Sequence, residues 1–162
     1  RRNRMDIVPT PSPLELEHYF FSEIMFQAFP PEEGGEKSPP RCTTAHSHTP
    51  VDENGKFQIL LQVASEDEEK STRPLYRFRL SSVGIFRWKD ELPEDSGERE
   101  AFIERLIVTG LSILYSGTRN MLHTITGAGP HHPSYILQPL SLAPRAGART
   151  ESNTLTKDTN SQ

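Results

Sequence analysis

Apolar residues are scarce in this chain, at 33% of 162 positions, well below an ordinary globular domain. The shortage is uneven: it sits in residues 1–13, 30–55, 65–73, 89–98 and 143–162. What is left is apolar enough for one core and no more. The single cysteine, Cys42, excludes an internal disulfide and fits a reducing compartment, so a cytoplasmic location is expected. No run of about 18 apolar residues exists, which excludes a membrane-spanning helix. Arg1 to Arg4 are followed by Asp6, Pro9, Pro11 and Pro13 where a signal peptide would have an apolar stretch, so none is expected.

Positive charge is also thin. The formal net charge is −4, and no basic tract could neutralise a run of phosphates, so nucleic acid is not an expected partner. Arg77, Arg79 and Arg87 read as the solvated face of a strand. Catalytic motifs are missing too. Ser116-Gly117 lies inside a helical run, and Gly127-Ala128-Gly129 ends a helix where a phosphate loop would open one. Cys42, His46 and His48 lie close in sequence, but structural zinc wants four ligands and no second pair has suitable spacing. A Cys42–His46 nucleophile pair would sit in a proline-rich loop with no scaffold. The pattern predicts no cofactor, no metal and no enzyme.

Four extended segments and one helix account for the apolar residues. In residues 14–28, Leu14, Leu16, Phe20, Ile24, Phe26 and Ala28 share one parity, the period of a strand. Pro30-Pro31 ends it. Residues 30–50 form a long polar loop, with a short strand within 41–49. A further strand at about 55–64 turns Phe57, Ile59, Leu61 and Val63 one way. Another at about 75–88 alternates Tyr76, Phe78 and Leu80 with arginines, then becomes apolar on both sides around Gly84, as at a bulge or a doubly buried strand. With no helix between them, the strands are expected to pair antiparallel. Asp95 and Glu98 are spaced as a helix cap and its N3 acid. A wide stripe from Phe102 through Ile125 then predicts a long helix. Gly110 and Gly117 inside it predict a kink or the close approach of another backbone, and Gly127 is placed to cap its end.

If the even-numbered side of residues 14–28 packs on the helix, then Tyr19, Phe21 and Met25 face away from it. A small monomer rarely exposes such a contiguous aromatic and methionine patch. Tyr19, Phe21, Met25 and, in the later extended segment, Leu137 are therefore the candidate surface for a polypeptide guest or another subunit. The run Glu66, Asp67, Glu68 and Glu69 reads first as a solvated turn and is also a candidate acidic partner contact.

Several short motifs, in order, resemble the SecB export chaperone family. Ser22 to Ala28 is similar to the family's first strand, and Val83-Gly84-Ile85-Phe86 to the end of a later one. Ile113-Leu114-Tyr115 with Arg119 is similar to its helix, and Gly127 to Pro144 to the turn and apolar segment beyond. The likeness spans residues 14–144. It leaves 1–13 as a flexible segment and 145–162 as a disordered tail. The resemblance implies an α+β fold, a four-stranded antiparallel sheet packed on a long helix, assembled as a homotetramer. It further implies ATP-independent holding of unfolded polypeptides or preproteins, with delivery to the SecA motor. The resemblance makes Glu23 a candidate partner contact, on an acidic position of the family's motor-contacting sheet surface; Gln27 stands where the family has another such acid, Ser116 where it has a proline, and the motor-binding tail character is missing. Those departures point alternatively to a chaperone dedicated to one unstable partner, such as an antitoxin, or to a non-catalytic oligomeric adaptor.

Overall fold

The structure, a computed structural model, describes residues 12–30, 40–66, 74–131 and 134–139. The expected tail at 145–162, and all but the last two residues of the expected segment 1–13, lie outside the described residues. The elements are β1 (Leu14–Ala28), β2 (Cys42–His48), β3 (Lys56–Ser65), β4 (Tyr76–Trp88) and α1 (Ser96–Gly127). The strands form one antiparallel sheet in the order β1-β4-β3-β2. A four-stranded antiparallel sheet backed by one long helix is therefore the architecture, as the sequence predicts. No helix among the described residues is long and apolar enough to cross a membrane.

The helix begins where Asp95 accepts hydrogen bonds from the Gly97 and Glu98 amides, both at 3.0 Å. These satisfy donors that the first helical turn leaves without partners. Replacing Asp95 with alanine should cost about 1 kcal/mol of stability, read from the urea midpoint at unchanged slope. Gly127 is the last helical residue, and the cap is Ala128, in right-handed helical conformation, with its N–H on Thr124 O. The expected glycine cap is thus displaced by one residue.

The core lies between α1 and the β3–β4 half of the sheet: Phe57, Ile59, Leu80, Phe86, Leu114 and Leu122 are buried. Gly110 and Gly117 serve close approach, and α1 runs unbroken through both. A methyl group at Gly110 would lie 2.5 Å from Ile59 Cδ1, so the helix sits closer to the sheet than alanine permits. Around Gly84, β4 is buried on both sides and its register with β3 is continuous. The irregularities fall on β1 instead. Its pairing with β4 shifts between Leu16 and His18 and again between Phe21 and Glu23, so Glu17 and Ser22 are the extra residues of two bulges.

Candidate functional site

The two bulges decide which way β1 presents its side chains. On β4, the side toward the helix is marked by Ser82, bonded to Thr118, and by Gly84, packed under Leu114. Phe21 pairs with Ser82 and Tyr19 with Gly84, whereas Phe20 pairs with Val83 and Met25 with Arg79 on the open side. Directly paired residues share a face. The helix side of β1 therefore carries Leu14, Leu16, Tyr19, Phe21, Ile24, Phe26 and Ala28. The expected single parity is corrected: Tyr19 and Phe21 do not face away from the helix, and Phe20 does. Tyr19 reaches across to Gly117 and hydrogen-bonds Thr118, and its ring meets Phe21 edge-on at 5.4 Å. Burial raises the Tyr19 phenol's pKa, against the pull of that hydrogen bond.

α1 packs chiefly over β3 and β4, meets β1 where Tyr19 reaches Gly117, and leaves much of that strand open. Leu16, Tyr19 and Ile24 consequently form an exposed apolar row, with Ile24 50% exposed. Ile113, exposed one helical turn before Gly117 on the same flank, borders that row. On the other side of the same strand, Phe20 is 49% exposed and Met25 is also exposed. Beside them Val83, Ile85 and Leu60 make a cross-strand apolar centre of the open sheet face. β1 is thus a 15-residue edge strand with accessible apolar side chains on both sides. Natural proteins seldom leave such an edge without an occupant.

Leu137 lies elsewhere. At 2% exposure it belongs to the core, because residues 134–139 pack against α1; the expected surface position is corrected. Leu16, Phe20 and Ile24 are the exposed residues that the parity argument assigned to the core. The signal for them was the polar pair of interruptions at Glu17–His18 and Ser22–Glu23.

The acidic candidates do not form one surface among the described residues. Glu23 accepts a hydrogen bond from Ser81 Oγ at 3.3 Å and faces Arg79 at 4.0 Å. Arg77 and Arg79 are both exposed on β4 near it, so this end of the open face is not net acidic. Glu66 is exposed beyond β3, its amide bonded to Arg41 O. Asp67, Glu68 and Glu69 lie outside the described residues. Glu17, thrust out by its bulge, bridges Arg87 at 2.6 Å and Lys56 at 2.8 Å. Its carboxyl pKa is lowered chiefly by the Lys56 hydrogen bond and then by Arg87, while desolvation acts the other way.

Cys42 sits with its Sγ 3.1 Å from Tyr135 Oη and 3.6 Å from Pro40 O. Burial raises the pKa of the thiol, outweighing the Tyr135 hydrogen bond, which keeps it protonated and a poor nucleophile. Tyr135 is raised further, by burial and by the same contact. His46 and His48 are exposed along β2. Among the described residues no three His, Cys, Asp or Glu side chains are grouped to hold a metal ion.

No protein-family model matches the chain, and no curated protein does. Among solved structures it is similar to a SecB-like chaperone of Mycobacterium tuberculosis, in complex with a ChAD peptide from the HigA1 antitoxin. The identity is 14%, over 79% of this chain and 91% of that one, at a TM-score of 0.49. A likeness that distant carries no argument about function, and the architecture stands on this chain's own strand order and helix.

Proposed function

We propose that this protein holds unfolded polypeptide without chemistry, as a SecB-like chaperone dedicated to one unstable partner such as an antitoxin. Strand β1 carries the proposal: a long sheet edge with Leu16, Tyr19 and Ile24 exposed on one side and Phe20 and Met25 on the other. An extended guest can add to such an edge through backbone bonds common to all sequences, while exposed apolar side chains supply affinity. Met25 adapts to varied shapes. Each apolar group removed from water contributes about 25 cal/mol per Å². A homotetramer would use part of this surface for its own subunits and leave the rest for the guest. The single free thiol, Cys42, suits work in the cytoplasm.

General export with delivery to SecA is the second reading. It draws on the family resemblance, which implies an acidic sheet surface for the motor. Here Glu23 is engaged by Ser81 and Arg79, and Arg77 and Arg79 flank it, which favours the dedicated role.

In the test, a chemically unfolded reporter is diluted into buffer with near-stoichiometric chain and no nucleotide. Its light scattering should stay suppressed. Aggregation unchanged by a molar excess would remove the proposal. Mass spectrometry of polypeptides co-purified from the native cell then separates the readings: one dominant companion for the dedicated role, a broad set of precursors for export.

A further inference from the structure

β2 is the other edge of the sheet, and it is built unlike β1. Its residues, Cys-Thr-Thr-Ala-His-Ser-His, include no lysine, arginine or carboxylate, and all but Cys42 are exposed. Edge strands are commonly guarded by lysine, proline or a bulge. β2 has none of these and pairs with β3 in continuous register. In their place it carries His46 and His48.

These two histidines share a side. His46 pairs with Leu61 and His48 with Ile59, and both partners belong to the core. Both imidazoles therefore project from the helix side of the strand. Two residues along a strand separate them by about 6.5–7 Å, which lets both rings reach one ion at the metal–imidazole distance of about 2.0–2.1 Å. The His48 Nδ1–H donates to the Thr49 carbonyl at 3.2 Å, leaving Nε2 with its lone pair available. That is the usual second contact of a metal-binding histidine, because the carbonyl fixes the tautomer and orients the ring. No group among the described residues engages the His46 imidazole.

Zinc wants four ligands, and one chain supplies two. Cys42 lies about 13 Å further back along the strand, with its thiol against Tyr135. No third His, Cys, Asp or Glu is grouped with the pair among the described residues. A second copy of the chain offers the same pair, and an exposed edge without charged side chains lets it approach. We infer that His46 and His48 form half of a metal site, which two copies related by a twofold axis complete around one zinc ion or a similar imidazole-binding divalent cation. Each chain contributes a two-nitrogen chelate, and two such chelates set crosswise give the tetrahedral geometry of zinc. The site leaves β1 free, so metal-linked assembly and the holding function proposed above stand independently.

The test uses the full chain without a polyhistidine tag, stripped with EDTA and titrated with zinc. Calorimetry should give one zinc per two chains. Sedimentation equilibrium should show zinc at least doubling the mass of whatever assembly the metal-free chain forms, with EDTA reversing it. Loaded with Co2+ instead, the protein should show the intense visible bands of a tetrahedral ion. The weak bands of an octahedral ion would mean that water, not a second chain, completes the sphere, and would overturn the shared site. His46→Ala and His48→Ala each remove two of the four ligands from the assembled site. Loss of an outer partner of a ligand already costs about 10- to 100-fold in metal affinity, so each variant should bind zinc at least about 100-fold more weakly and keep the metal-free mass. His18→Ala, on β1 and the opposite side of the sheet, should behave as the unaltered chain does. Circular dichroism checks the folding of each variant, and His48→Gln repeats the measurement should an alanine variant not fold. No saturable binding, one zinc per chain at unchanged mass, or zinc binding that survives both β2 substitutions would each overturn the inference.

Discussion

Serine at both Phe20 and Ile24 should abolish holding of an unfolded reporter while leaving the fold in place. Each side chain is about half exposed, so a guest that covers it gains roughly half of the 1.5–3 kcal/mol that full burial of such a residue provides. Losing both removes about 1.5–3 kcal/mol of guest affinity, or roughly 10- to 150-fold in Kd. Phe20 lies on the open face, paired with Val83, and Ile24 on the helix side, paired with Leu80. The double variant therefore strips one anchor from each side of the edge. Fluorescence anisotropy of a labelled unfolded reporter measures the affinity, and a urea titration of the same samples measures stability. Holding that survives unchanged would place the guest surface away from β1. Loss of holding with a parallel collapse of stability would instead mark these residues as part of the fold.

That prediction differs in its residues from the one the sequence supports, and the reason is local. Strand, helix start and helix stripe were legible because each is written in neighbouring positions. Asp95 precedes a helical apolar pattern, and Phe57, Ile59, Leu61 and Val63 alternate without interruption. β1 has the same alternation, but two bulges each insert a residue, and each insertion changes which parity faces the helix. Between Glu17 and Ser22 the odd positions Tyr19 and Phe21 turn toward α1, and the even position Phe20 turns outward. An apolar–apolar run such as Tyr19-Phe20-Phe21 offers no contrast from which to detect that switch. The polar interruptions at Glu17–His18 and Ser22–Glu23 are its one trace in the sequence, and the pairing with β4 fixes it.

Leu137 was hidden for a different reason. Nothing beside it in sequence suggests a partner, and its backbone neighbours are satisfied by Tyr115 and Thr126, far back along the helix. A segment held by hydroxyls from a distant element has no periodicity to read. The glycines were legible in part. Gly110 and Gly117 in a strong helical stripe predicted a kink or a close backbone; the helix is unbroken, and the groups that approach are the side chains of Ile59 and Tyr19.

Phe86→Ala should be the most destabilising single substitution in the core, at about 3–5 kcal/mol. The ring is wholly buried, stacked on Phe57 at 5.5 Å. It also fills the space that Gly84 and Gly110 leave open: a methyl group built on Gly84 would lie 2.6 Å from its Cε2, and one on Gly110 3.3 Å from it. Two elements have thus given up side chains to admit one ring, so its removal leaves a void that neither glycine can fill. Small domains have about 5–15 kcal/mol in total, and the variant should unfold at low urea or fail to fold. Phe86→Leu, which keeps much of the volume, should cost distinctly less. The consequence reaches function, because this ring docks α1 on the sheet and so sets the flank along which Ile113 faces β1. A loss below about 1 kcal/mol for the alanine variant, at unchanged urea slope, would mean that α1 is not seated through Gly110 on Phe86 and Gly84, and the apolar row on β1 would then lose the wall that defines it.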